Sequence, residues 1–207
     1  MGDPEDPSAT HRATYDDVAA RFAVVNAQMP PAVLDSARQL LEIVGAPARI
    51  LELGCGHGRD AAWLEAHGVD VVAADLSAGM LAETRLRVTG PVVQLDMRAL
   101  AFRSAVFDGV WSNAAMLHLP KAAVPSALAG VRRILRPGGA FFVSIQVGEG
   151  ETWEAASYGQ PVARFFSRYA PAEFGALIED AGMQLLEAEE SYGGPRNHWA
   201  HYFARRD

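Results

Sequence analysis

Apolar positions along the first 45 residues recur at helical spacing, and from Arg49 onward they switch to short unbroken runs separated by helical stretches. The spacing predicts a helix over residues 15–28, with Val18, Phe22 and Val25 on one face. A second helix is predicted to start at Pro30-Pro31, because proline is tolerated in a first turn. It carries Leu34, Ala37, Leu41 and Val44 as a stripe and stops near Gly45 and Pro47. Strands are predicted at 49–53, 69–74, 92–95, 106–112 and 140–145. The second is apolar throughout, the pattern of a strand covered on both faces. Between them lie helices over 60–67, 77–87 (with Ser77 as N-cap) and 124–135. A helix over 171–181 and two last strands, 183–189 and 199–204, complete the reading.

Strands alternating with helices imply a parallel, right-handed doubly wound sheet. The expected fold is α/β, a Rossmann-like seven-stranded sheet, mostly parallel with a C-terminal antiparallel hairpin and helices on both faces. Residues 1–10, rich in Asp, Glu and Pro, read as a disordered tail. Residues 11–207 read as one domain, with a helical cap over 11–45 and an irregular cap segment over 146–170. That segment shows no clear period, and a stretch of its length is functional or hides an unrecognised element.

Composition narrows the function classes. The chain has 207 residues, a formal net charge of −7 and one cysteine, Cys55, so an intramolecular disulfide or a cysteine-based zinc site is excluded. Lys and Arg are dispersed, and the basic stripe that phosphate neutralisation needs is missing, which argues against nucleic acid as partner. There is neither a signal-peptide pattern nor an apolar run of membrane-spanning length, so a cytoplasmic, soluble protein is expected. His198 and His201 have a spacing that hints at metal, but on a strand they point to opposite faces, and no metal site is expected.

The chemistry concentrates in Glu52-Leu-Gly-Cys-Gly-His-Gly58, directly after the first strand. Glycines at alternate positions allow a tight turn and close approach of a ligand, and the next helix points free amides at it. A dinucleotide fingerprint needs its third glycine where Arg59 stands; here Gly58 comes one residue early. The G-x-G-x-G spacing resembles that of the class I S-adenosylmethionine-dependent methyltransferases that act on small molecules. The resemblance runs roughly from Tyr15 to the C-terminus through five motifs in order: Leu51 to Gly58, Ala74-Asp-Leu-Ser77, Leu95-Asp-Met97, Phe107-Asp-Gly-Val-Trp-Ser-Asn113 and Leu135-Arg-Pro-Gly-Gly139.

The resemblance implies S-adenosylmethionine as cofactor, with S-adenosylhomocysteine as product. Its binding set would be Tyr15, Glu52, Gly54, Cys55, Gly56, Gly58, Asp75, Leu76, Met80, Asp96, Met97 and Asn113. Asp75 ends the second strand, where a carboxylate can accept from both ribose hydroxyls. Leu76 can pack on adenine, Asp96 would lie near the adenine amino group, and the Met97 amide near the ring. The main chain of 54–56 with Asn113 would hold the methionine moiety, and Glu52 can instead organise the turn. The acceptor should face strands four and five. His118 there is either a general base or a packed structural histidine. Arg164 and Tyr169 are the other acceptor-binding candidates, an arginine suiting a carboxylate-bearing acceptor. Phe22 and Asn26 would join Tyr15 in folding over the cofactor. In-line methyl transfer to O or N of a metabolite is the expected reaction, by a monomer or homodimer. Aminopropyl transfer, cyclisation, or cofactor binding without turnover share the motifs and stay open.

Overall fold

The computed structural model describes residues 6–155, 162–193 and 198–207. Two helices, α1 (Ser8–Val25) and α2 (Pro31–Val44), precede the alternating region. This runs β1 (Arg49–Leu53), α3 (Arg59–Ala66), β2 (Asp70–Asp75), α4 (Ala78–Thr84), β3 (Val92–Gln94), β4 (Phe107–Asn113), α5 (Val124–Ile134) and β5 (Leu135–Gln146). A hairpin of β6 (Glu151–Ala155) and β7 (Ala163–Ser167) follows, then α6 (Pro171–Asp180), β8 (Met183–Tyr192) and β9 (His198–Arg206).

Seven strands form one sheet in the order β3-β2-β1-β4-β5-β9-β8. The first five run parallel, and β9 pairs antiparallel with both β5 and β8. This is the doubly wound Rossmann-like fold expected from the alternation. Because side chains alternate along each strand, the sheet buries apolar groups on both faces. Leu51, Val110, Phe141, Val143 and Tyr202 pack with α5 and α6 on one side. Ile50, Trp111, Phe142 and Phe203 pack with α2 and α3 on the other, where Trp111 and Phe142 stack at 4.0 Å. Strand order reverses between β1 and β4, so the helices on either side diverge and leave a crevice there.

Three expectations change. Ser8–Thr10 are helical rather than tail, because α1 starts at Ser8. Polar anchors fix this helix more than an apolar stripe does, and Val25 is 63% exposed. Asp16 Oδ1 accepts from the Ser77 hydroxyl at 2.6 Å and the Gly79 N–H at 2.8 Å, while Thr14 bonds the Ala163 carbonyl. On α2 the buried line is Val33, Ala37 and Leu40; Leu34, Leu41 and Val44 are only half-buried, a rotation by one position. The cap segment over 146–170 is not irregular throughout: it contains the β6–β7 hairpin, in which Trp153 stands opposite Phe165. Tyr158 and part of the turn expected over 191–197 lie outside the described residues. Ser77 caps α4 as expected, its hydroxyl accepting from the Met80 N–H at 3.0 Å.

Candidate functional site

A cavity of about 490 Å³ occupies the crevice at the carboxyl ends of β1, β2 and β4. Its floor is the turn after β1, where the N–H groups of Gly54 and Cys55 both donate to the Ala74 carbonyl on β2 (2.8 and 2.9 Å). Glycine is required at 54 for two reasons. Its φ is +82°, and a Cβ there would stand 2.3 Å from that of Ala115. Gly58, at φ +82°, ends the turn as the N-cap residue of α3; a Cβ there would meet Thr84 at 2.9–3.1 Å. The early third glycine thus lets α3 start against α4, whereas Arg59, in the dinucleotide position, reaches back to the Asn26 and Gln28 carbonyls at 3.3 Å.

Asp75 ties the floor to the β2 end. Its Oδ2 accepts from the Gly56 N–H at 2.8 Å and its Oδ1 from the Ser77 N–H at 2.9 Å. Burial outweighs these bonds and pushes its carboxyl up to about 6. Each oxygen keeps further lone pairs, and the residue lines the cavity. Glu52 is 97% covered, and burial together with the nearby Asp60 carboxylate holds its carboxyl well above the usual range. Asp60 is itself bonded by Arg59 (2.6 Å), Trp111 (3.1 Å) and Asn113 (2.9 Å).

The Asn113 side chain donates to Asp60 and accepts from the Ser144 hydroxyl at 2.7 Å. It lines the cavity and braces α3, β4 and β5. At the other end Asp96 is gripped by the Arg98 guanidinium, which also bonds Asp6; the guanidinium holds the Asp96 carboxyl low against the effect of burial. Leu76, Met80, Leu95 and Met97 supply apolar wall between Asp75 and Asp96. Cys55 is buried, with its thiol pushed up by burial and its sulfur 3.5 Å from the Thr84 hydroxyl.

Helix α1 forms the roof with Tyr15, Phe22 and Asn26, as the sequence suggested. Phe22 stands edge-on to His57, whose imidazole burial lowers to about 4. The Tyr15 hydroxyl lies 2.9 Å from His118 Nε2. His118 Nδ1 lies 2.8 Å from the Phe165 carbonyl, an acceptor only, so Nδ1 carries the proton and Nε2 accepts from Tyr15. Burial and the neighbouring His11 depress the imidazole to about 3. A ring so weakly basic, with its lone pair engaged, is arranged to orient Tyr15.

The two remaining acceptor-binding candidates are not brought to the cavity. Arg164 stacks its guanidinium 4.9 Å over Phe166, since alternation along β7 puts both on one face. Tyr169 is a core residue packed edge-on against Phe174. In their place the structure brings His11, Ser144, Ser191, Trp199 and His201 into the lining. His11 was legible: it extends the stripe Tyr15, Val18, Phe22 one step toward the N-terminus at helical spacing. His198 bonds Glu190 and His201 bonds Ser191 at 2.8 Å, each on its own face of β9.

An open doubly wound sheet with a glycine turn and a strand-end carboxylate at its switch point defines a Rossmann-like ligand-binding domain. Residues 51–143 match the family described as "Methyltransferase domain". The malonyl-[acyl-carrier protein] O-methyltransferase of Enterobacter lignolyticus is 36% identical over 129 residues, covering 59% of this chain and 51% of that protein. The demethylmenaquinone methyltransferase of Beutenbergia cavernae is 34% identical over 135 residues, covering 63% and 55%. The chain thus spans about half the length of these curated relatives. Burkholderia thailandensis 1,6-didemethyltoxoflavin-N1-methyltransferase, solved with 1,6-didemethyltoxoflavin and S-adenosylhomocysteine, superposes with a TM-score of 0.80 at 22% identity, covering 100% of this chain and 91% of that one. Over residues 51–143 the chain is thus similar to methyltransferase domains, and its fold is the Rossmann-like fold of the class I methyltransferases.

Proposed function

We propose that this protein transfers the methyl group of S-adenosylmethionine to an oxygen or nitrogen of a small molecule. The observation that carries the reading is Asp75: a carboxylate at the end of β2, held by the Gly56 and Ser77 amides, with lone pairs left toward a cavity whose floor has no side chain at 54 or 56. That donor set fits a ribose diol, and the apolar stretch of Leu76, Leu95 and Met97 fits a purine face. A cavity of about 490 Å³ lies in the usual range for a ligand of this size. Relatives and structural neighbours named as methyltransferases support the same activity.

The bound cofactor would supply a methyl group already activated on a sulfonium. The chain's own residues then have to bind, orient and exclude water. Positioning of the acceptor in line with the S–CH3 bond supplies much of the acceleration, so a strong base is not required. In this reading Gly54–Gly58, Asp75, Asp96 and the Met97 main chain hold the cofactor, and Asn113 braces the strand ends. Tyr15 is held by His118 over the reacting region, which makes His118 a positioning residue. Residues 11–207 act as one domain, with α1 and α2 as its cap. The partner is a small molecule rather than nucleic acid, consistent with the dispersed basic residues. Among the described residues no helix is long and apolar enough to cross a membrane, and the cytoplasm is the compartment proposed, for a monomer or homodimer.

The test is calorimetric titration with S-adenosylmethionine, S-adenosylhomocysteine and NAD, on the native protein and Asp75→Ala. Binding of the two sulfur nucleotides alone, at least tenfold weaker in the variant, is expected. Absence of sulfur-nucleotide binding, or tighter NAD binding, would leave only the fold standing.

A further inference from the structure

His11 is 95% covered and lines the cavity, and among the described residues its side chain makes one hydrogen bond: Nε2 accepts the Phe165 N–H at 2.8 Å. A backbone N–H only donates, so Nε2 is unprotonated and the proton of the neutral ring sits on Nδ1. Protonating Nε2 would set two donors against each other, and burial, the larger effect, lowers this imidazole to about 4. Nδ1 has no partner among the described residues. A buried N–H left unpaired is unfavourable, and a ligand in the cavity that accepts from it would relieve that.

The surroundings say what shape that something has. The His11 ring lies 4.5 Å from His118, 5.9 Å from Tyr15 and 6.0 Å from Trp153, the last two nearly parallel to it. Trp153 in turn meets Phe165 edge-on across the hairpin. Of these rings His11, Tyr15 and His118 line the cavity, and aromatic walls bind flat rings best, by offset stacking. The Arg164 guanidinium, which could have selected a carboxylate, is turned onto Phe166.

We infer that His11 Nδ1–H is the hydrogen-bond donor that reads the methyl acceptor, and that the acceptor is a planar ring bearing a carbonyl oxygen or an unprotonated ring nitrogen. This rests on the methyltransferase reading above. His118 cannot replace His11 in that role, because its only N–H is bonded to the Phe165 carbonyl. His11 is thus a specificity residue, and no proton transfer is asked of it.

Two substitutions separate the halves of the ring. His11→Gln keeps an acceptor for the Phe165 N–H but has no donor at the Nδ1 position; His11→Asn keeps the donor and gives up the anchor. Binding of two flat probes, chromone with its carbonyl and naphthalene without one, is measured on protein saturated with S-adenosylhomocysteine. Protein labelled with 15N in histidine reports the His11 Nδ1 resonance. Chromone is expected to bind His11→Gln roughly tenfold more weakly, the equivalent of one neutral hydrogen bond, and to bind His11→Asn within about threefold of the native protein. Naphthalene should not distinguish the three, and chromone should move the Nδ1 signal. Loss of both probes alike in His11→Gln, an unmoved Nδ1 signal, or no chromone binding to the S-adenosylhomocysteine complex overturns the inference and leaves the methyltransferase reading intact. Failure of the native protein to bind S-adenosylhomocysteine at all overturns both.

Discussion

Affinity for S-adenosylhomocysteine should fall as the medium is acidified through the range where Asp75 takes up a proton. Burial raises this carboxyl from 3.8 to about 6, although the Gly56 and Ser77 amides favour its ionised form. A ribose diol donates to the carboxylate and would favour ionisation further, so the complex forms with Asp75 charged and the protonated protein must lose a proton to bind. The binding constant should be flat above pH 7 and weaken by about tenfold between pH 7.5 and pH 5. The same shift acts oppositely on folding. A carboxyl with a raised folded value stabilises the fold below 3.8 and loses that contribution as pH rises through about 6, at most about 3 kcal/mol before screening by cavity water. Titration calorimetry at half-unit steps, on native protein and Asp75→Asn, makes the measurement. Glu52 is also raised by burial, and the variant separates the two. A flat profile, tighter binding at pH 5, or an equal slope in Asp75→Asn would refute the assignment of this proton to Asp75.

Two further outcomes follow from the floor and the roof. Gly54→Ala forces a side chain into φ +82° and against Ala115, and should lower stability by about 2–5 kcal/mol in urea unfolding. Gly68→Ala, at φ +84° with open space around it, should show only the conformational part, about 1–2 kcal/mol; equal losses would remove the close-approach argument. Asp16→Ala removes both bonds that hold α1 to α4 and should accelerate amide exchange in α1 while leaving β1 and β4 protected; uniform acceleration would count against a local latch.

The sheet was legible because its strands are buried on both faces, and runs such as Val71 to Ala74 advertise that directly. The cofactor floor was legible for a related reason: a turn that needs glycine at 54 and 58 allows few sequences. The roof was legible in part: Tyr15, Phe22 and Asn26 were expected there, but Ser8 to Thr10 read as tail because the helix is fixed by Asp16, Thr14 and His11 more than by a stripe. The hairpin hid because Glu151, Trp153 and Glu154 mimic an exposed loop when their partners sit 10–16 residues away. Arg164 lies outside the cavity lining because nothing local tells which face of β7 it takes, and Tyr169, beyond that strand, packs into the core.

Register also gives the Phe165 peptide a wider meaning. Its N–H goes to His11 and its C=O to His118, so main-chain atoms fix where both imidazoles carry their protons. Main-chain atoms do not change when the side chain at 165 is exchanged. Descendants of this sequence are free to vary the hairpin's side chains while the proton pattern underneath is inherited unaltered. Insertions are another matter: a slip of β7 by one residue would present the wrong peptide to both rings and reverse every side chain on the strand. Diversification here should proceed by replacement of residues and tolerate no change in their number.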